Sequence, residues 1–308
     1  MATKTLATWA LALQYNNIPS NFHDIAAKSI YNWAGCAIGG WLQPAPGLAH
    51  SAIAPFVSDN GNSTILGTGV VVDAQTAALI NGIASHADDY DDTHRDNPIH
   101  PSGPVLSALL AVAEWQGSVS GPEFLTAFVA GVEAECKLGI SVYPEHYNVG
   151  CHIVSTVGSI GAAVAVSKLL ELEVEELQKA ISIASVQVTG MHDFFGTDTK
   201  PFHFLDDVAQ NPTVIELRRK VHVTSDDTVE EHEASVSATF ADGTTLDVHV
   251  EHTIGSYENP FPADQMKAKF LDQAGTVIGS TKAEKAWVTF STIVIATDVA
   301  EAVRLSRV

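Results

Sequence analysis

Residues 104–139 read PVLSALLAVAEWQGSVSGPEFLTAFVAGVEAECKLG, two apolar-rich segments that each begin with a proline near the first turn and end on a glycine. Proline suits a helix start, where its missing N–H would be unpaired anyway. Glycine suits a helix exit, where it supplies the left-handed residue that other side chains resist. The pattern predicts one helix opened by Pro104 and left at Gly117, and a second opened by Ser120-Gly-Pro122 and left at Gly139. The same signals recur on both sides. Ser20 reads as the cap of a helix over about 21–38 closed by Gly39 and Gly40, and Asp73 precedes a helix through Ala77, Leu79, Ile80 and Ile83 that delivers the chain to His86. Residues 153–170 and 174–192 complete the set, and Gly158, Gly161, Ala162 and Ala165 lie about a turn apart, which suits close helix contact. Residues 1–203 are expected to form a large all-helical domain.

After Lys200 the pattern changes. VHV at 221–223 and the alternating segments on either side of Asp242-Gly243, within 234–250, read as strands, the latter two as a hairpin. An acidic stretch at 225–233 separates the first strand from the hairpin, and 262–270 and 282–295 read as closing helices. The fold class is therefore mainly α, with a smaller α+β domain over 204–308.

The chain of 308 residues is 46% hydrophobic, ample for a sizeable core. It has no run of about 18 apolar residues that would span a membrane. The N-terminus shows neither a secretory nor an organelle-import pattern, so a cytoplasmic protein is expected. Sixteen Lys and Arg against thirty-six Asp and Glu give a formal charge of −20, which repels phosphate backbones and excludes nucleic acid as a natural partner. Three cysteines, Cys36, Cys136 and Cys151, form no C-x-x-C pair and predict neither a disulfide framework nor a zinc knuckle. No nucleotide-binding glycine loop and no G-x-S-x-G elbow occurs, so no cofactor is implied and acyl-enzyme chemistry finds no support.

Polar chemistry concentrates in three segments of the helical part: HADDYDDTHRDNPIHPSG at 86–103, NVGCHIVST at 148–156 and MHDFFGTDTKPFH at 191–203. The first admits three readings: a metal cage, a solvated acidic loop, or the acid/base wall of an active site. Its ligand density exceeds what a metal site needs. A solvated loop has no use for its imidazoles, a threonine and a Pro-Ser-Gly stop between apolar helices. Acid/base chemistry asks for an imidazole that titrates near neutrality, carboxylates to orient it and a cation to hold a substrate carboxylate. All three residue types are present, with Lys200 as the loop cation.

These segments, NGIASHADDYDDTH, HPSGPVLSALLAVAE, GCHIVSTVGSIGAAVAVSKLLEL and GTDTKPFH, in that order, resemble the MmgE/PrpD family. The resemblance resumes at VIELRRKVHV, ATFADGTTL and ENPFPADQMKAKF. It implies a large all-helical domain joined to a smaller lid-like domain, a homodimer, and a lyase that needs no iron–sulfur cluster, other cofactor or metal. The implied reaction is dehydration of a 2-methylcitrate-like or alkylcitrate-like acid, with decarboxylation of cis-aconitate or a relative as the alternative. A silent, shortened scaffold is the third reading. Carried over by motif, the site residues are Asp89, Thr93, His100, His152 and Lys200. Lys200 and Thr93 would meet charge growing on the substrate carboxylate, an imidazole would move the proton, and Asp89 would orient an imidazole or bind substrate. Three departures stand out: Thr93 and His100 are one residue further apart than usual, Asp198 occupies an ordinarily apolar place, and only FLDDVAQN links His203 to Pro212 where the family carries a long additional region.

Overall fold

The computed structural model describes residues 2–57, 61–187, 190–191, 210–230, 232–305 and 307. The fold is mainly α: thirteen helices and two small antiparallel sheets appear among the described residues. The chain divides into two compact units, one formed by 1–202 together with 267–308, the other by 203–266. The second domain expected over 204–308 thus differs at its far end, because the closing helices belong to the helical unit.

That unit contains α1 (Ala2–Ala12), α2 (Ser20–Gly40), α3 (Pro44–Ile53), α4 (Ala74–His86), α5 (Ser102–Gln116), α6 (Gly121–Val142), α7 (Glu145–Asn148), α8 (Ile153–Leu169) and α9 (Val174–Ser185). Local chemistry sets several of these ends. The Asp73 carboxylate accepts the Thr76 N–H at 2.9 Å and its hydroxyl at 2.8 Å, which starts α4. Ser120 and Glu123 form a reciprocal capping box at the start of α6, an arrangement worth about 1 kcal/mol. Ser20 is not a cap: it is the first helical residue of α2 and Pro19 precedes it. The helix expected to run to residue 192 stops at Ser185. Gly190 is left-handed at φ +110°, its carbonyl accepts the His152 N–H at 3.2 Å, and Met191 bridges to Cys151, so the chain is turned back against the entrance of α8. A small strand pair in the helical unit, β1 (Ser63–Thr64) with β2 (Val71–Val72), is too short to carry a sequence pattern.

Helices α6 and α8 lie against each other with almost no side chain between them. A Cβ on Gly131 would sit 2.7 Å from the Gly161 carbonyl oxygen and 2.8 Å from the Ala165 Cβ. The closing helices α11 (Ala263–Ile278), from Lys267 on, and α12 (Ser280–Ser291) bring the aromatic core to α2. Phe270 and Trp287 pack edge to face at 5.5 Å, Tyr31 meets Trp287 at 4.6 Å, and Trp33, Phe124, Phe270 and Phe290 are fully buried. The burial of such rings, rather than helix propensity, recruits 267–308 to the body. After α13 (Ala300–Leu305), Arg307 donates to Thr64 Oγ1 at 2.9 Å and to Glu114 Oε1 at 3.0 Å, tying the end of the chain to β1 and α5.

The second unit holds α10 (Pro212–Arg219) and the hairpin β3 (Ala234–Thr239) with β4 (Thr245–Val250), in register from Ala234 opposite Val250 to Thr239 opposite Thr245. The predicted turn is present: Gly243 has φ +84°, and Asp242 Oδ1 accepts the Thr244 N–H at 2.9 Å. All twelve strand residues are exposed. Residues 221–223 form no strand; they are exposed and pair with no segment among the described residues, and a strand needs a partner to exist. No described helix is long and apolar enough to cross a membrane.

The α6–α8 contact gives a direct test. Gly131→Ala must push the helices apart or shift backbone, costing about 1–3 kcal/mol as overpacking does. Thermal unfolding followed by circular dichroism is expected to show a Tm several degrees below that of the parent chain, and an unchanged Tm would refute the tight contact.

Candidate active site

The loop between α4 and α5 carries the polar stretch, and several elements of the helical unit hold it. The Cys36 thiol donates to the Tyr90 carbonyl at 3.4 Å, and Gln43 donates to Asp88 Oδ1 at 2.6 Å. From α11, Lys269 Nζ donates to the same Tyr90 carbonyl at 2.5 Å and lies 3.8 Å from the centre of the Tyr90 ring. Ser102, at the head of α5, donates to Asp92 Oδ2 at 2.6 Å. Asp89 has φ +51°, a conformation that costs a non-glycine residue of order 1 kcal/mol and is found where surrounding structure imposes it.

This backbone brings two imidazoles together. The His86 and His100 rings have centroids 4.6 Å apart and are tilted by 49°. Two carboxylates close the pair on opposite edges. Asp91 Oδ1 lies 2.8 Å from His86 Nδ1 and 3.7 Å from His100 Nδ1, while Asp89 Oδ1 lies 3.7 Å from the Nε2 atoms of both rings. His100 Nδ1 is also 3.0 Å from the Asp92 carbonyl oxygen. A carbonyl only accepts, so its partner assigns the hydrogen to Nδ1 and leaves Nε2 with the lone pair. Thr93, exposed, places Oγ1 3.4 Å from the same Nδ1.

Burial shapes the charges. It holds the His100 pKa below the usual 6.5, with Asp91 pulling it back up and His86 adding to the depression, so this ring is neutral at pH 7. Burial lifts Asp92 to about 6 against the opposing hydrogen bond from Ser102. Glu135 on α6 is completely buried, and neither carboxylate oxygen has a hydrogen-bond partner among the described residues; burial, reinforced by the Asp92 charge, raises its pKa well above the ordinary 4.5. The Cys36 thiol is pushed up to about 12 by burial, which removes it as a nucleophile.

Of the five residues singled out from sequence, Asp89, Thr93 and His100 lie together. His152 precedes α8, buried, with Nδ1 2.8 Å from Ser155 Oγ, and stands outside the His86, Asp89, Asp91, His100 group. Lys200, with Asp198, lies outside the described residues. Sequence reasoning passed over His86, Asp91 and Glu135 as site residues. Glu135 carried a signal, a lone acid on the apolar face of AGVEAECKLG. Asp91 carried none that distinguishes it from its acidic neighbours.

The model of the MmgE/PrpD N-terminal domain matches residues 4–245, well over half of the chain. The chain belongs to the MmgE/PrpD family. Curated relatives of this MmgE/PrpD protein include a cis-aconitate decarboxylase-like protein, oryM, of Aspergillus oryzae, 31% identical over 61% of the chain. The cis-aconitate decarboxylase of Aspergillus terreus is 28% identical over 61% of it, and that of Homo sapiens 30% identical over 65%. The alignments span 40%, 39% and 42% of those three relatives, so the chain matches less than half the length of each.

Glu135 offers a test of the buried tier. Its folded pKa is raised, so below about 4.5 both states are protonated and its effect on stability is nil. As pH rises past that value the unfolded chain ionises first, and stability falls by at most about 1.4 kcal/mol per pH unit until the folded pKa is reached. Glu135→Gln keeps the shape of the neutral acid and is expected to abolish this decline. Urea unfolding at pH 5 and pH 8 should show the variant gaining on the parent at the higher pH; a constant difference would contradict a neutral buried Glu135.

Proposed function

We propose that this protein is a lyase that works without a cofactor on a small polycarboxylic acid, breaking a bond next to a carboxylate. The observation that carries this reading is the imidazole pair: His100 is neutral, its Nδ1 is occupied by a fixed acceptor, and its Nε2 lone pair is left on the edge shared with Asp89. A neutral, oriented imidazole is the group that general acid/base catalysis requires near pH 7.

Two reactions fit it. In decarboxylation the bond between a skeleton carbon and a carboxylate carbon breaks, carbon dioxide leaves, the electron pair stays on the skeleton carbon, and an imidazole that has taken up a proton from solvent gives it to the skeleton carbon and becomes neutral again. In dehydration Nε2 takes the proton beside a carboxylate, the electron pair forms the alkene, and the departing hydroxide is protonated to water. In both, negative charge grows on the substrate, and fixed donors lower the barrier where it grows. Lys200 is assigned that role by its G-T-x-T-K-P motif, and Thr93 by its place beside His100. His152 is assigned the second proton-transfer role, and Asp89 the orientation of the imidazoles. The names of the relatives, cis-aconitate decarboxylases from fungi and human, favour decarboxylation of a cis-aconitate-like acid over dehydration of a 2-methylcitrate-like one. Homodimer assembly and a lid role for the smaller unit belong to the same reading and rest on the family resemblance; a cytoplasmic location rests on the pattern of the N-terminal residues.

A silent scaffold is the second reading, motivated by the short link between His203 and Pro212 and by Asp198 two residues from Lys200. Incubating the purified chain, with chelator present, with cis-aconitate, 2-methylcitrate and their alkyl homologues distinguishes the three. Carbon dioxide release and alkene absorbance report the two chemistries, and His100→Ala is expected to lower kcat/KM by about 10²–10⁴-fold. Absence of turnover on every acid favours the scaffold, and turnover indifferent to His100 refutes the acid/base assignment.

A further inference from the structure

The two imidazoles given proton-transfer roles, His100 and His152, have different partners on Nδ1, and the partner decides what each ring offers to a substrate. His100 Nδ1 faces the Asp92 carbonyl at 3.0 Å, and a carbonyl only accepts, so that nitrogen holds the hydrogen. His152 Nδ1 faces the Ser155 hydroxyl at 2.8 Å, and a hydroxyl both donates and accepts. Ser155 Oγ makes no other hydrogen bond among the described residues, so the ring nitrogen is the protein acceptor open to its hydrogen. His152 also immediately precedes α8, and Ser155 lies in the first turn, where unpaired backbone N–H groups form the positive end of the helix dipole. A lone pair on Nδ1 suits that field, and an N–H there opposes it. Backbone seats the pair: the His152 N–H donates to the Gly190 carbonyl at 3.2 Å, and the His152 carbonyl accepts the Thr156 N–H at 3.2 Å. Gly190 has φ +110°, and a Cβ on it would stand 2.6 Å from Ser155 Oγ, so glycine is what lets the chain close over the hydroxyl.

We propose that Ser155 is a positioning residue that holds His152 with its hydrogen on Nε2, so that His152 offers a hydrogen where His100 offers a lone pair. The inference deepens the lyase reading and rests on it for the effect on turnover, though not for the tautomer. It divides the labour between the two rings: His100 is built to take a proton at Nε2, and His152 to supply one from Nε2. His152 is buried, whereas Ser155 is half-buried and reaches solvent. When His152 takes up a proton from solvent at Nδ1, the Ser155 hydroxyl turns and its oxygen accepts that N–H. The Nε2 proton then passes to the substrate, the ring is neutral again, and exchange with water restores the resting tautomer. The ring stays aimed throughout, because a hydroxyl serves as partner to Nδ1 with or without its hydrogen and a carbonyl does not.

The test is nuclear magnetic resonance of the full chain with nitrogen-15 in its histidine rings, at pH 8, where long-range nitrogen–proton correlations tell a protonated ring nitrogen from one that holds a lone pair. His152→Gln and His100→Gln identify the two sets of signals by their loss. In the parent chain His152 is expected to carry its hydrogen on Nε2 and His100 on Nδ1; a neutral His152 protonated at Nδ1 overturns the proposal. Ser155→Ala is expected to move the His152 signals to the averaged shifts of a tautomer mixture. On whichever acid the parent turns over, it should lower kcat by about 10-fold, the worth of one neutral hydrogen bond. Ser155→Thr keeps the hydroxyl and is expected to restore both the signals and the rate. His152 signals unchanged in Ser155→Ala refute the positioning role. The outcome is separable from catalysis, since the expected tautomer without turnover on any acid sinks only the lyase, and turnover with His152 protonated at Nδ1 sinks only this inference.

Discussion

Removing a carboxylate from water costs several kcal/mol unless donors replace its hydration, and Asp91, with 1% of its side chain exposed, meets part of that demand by pairing Oδ1 with the His86 ring. Much of the candidate site follows from this pairing. A ring bound through Nδ1 can only present Nε2 to the other edge. The His100 ring, held by the Asp92 carbonyl, stands at 4.6 Å with the same orientation forced on it. Asp89 then sits over both free edges because its backbone is left-handed, and the tethers from Cys36, Gln43, Lys269 and Ser102 keep that backbone in place.

Behind this pair lies a second tier that changes the electrostatics of the site. Asp92, with a pKa near 6, and Glu135, raised well above the usual 4.5, are both held up by burial, and together they carry less negative charge than two ordinary acids. A formal count of charged residues therefore overstates the repulsion that an anionic substrate would meet at this loop. Glu135 also shares its surroundings with the small residues of α8, since a Cβ on Gly161 would fall 2.7 Å from its Oε2. The tight helix contact and the neutral acid are thus two sides of one packing arrangement.

Much of the helical body was legible because its signals are local. Gly117, Asp73 and Ser120 act within a turn of their own position, as does Asp242-Gly243 at the hairpin, whereas Pro104 lies inside α5, which Pro101 precedes and Ser102 begins. What escaped depends on partners distant in sequence. Residues 221–223 alternate like a strand and find no neighbour, and α9 stops early because Gly190 and Met191 answer residues 151 and 152. The closing helices read as part of a separate domain, but Trp287 packs against Tyr31 of α2 and Phe270 against Trp287. At the site, Asp89 and His100 stood out by motif, whereas the choice of Asp91 as the inward carboxylate is made by one positive φ that a run of aspartates does not announce.

The helical unit is assembled from two stretches separated by residues 203–266, and its last tie joins Arg307 to Thr64 across 243 positions of sequence. A ribosome emits such a chain in order, so α2 leaves the exit tunnel long before the aromatic rings that will cover it. Phe270 packs onto that helix so closely that a Cβ on Gly35 would lie 3.0 Å from it. Until then an apolar surface waits in the open, and long-range closure of this kind slows the final step of maturation.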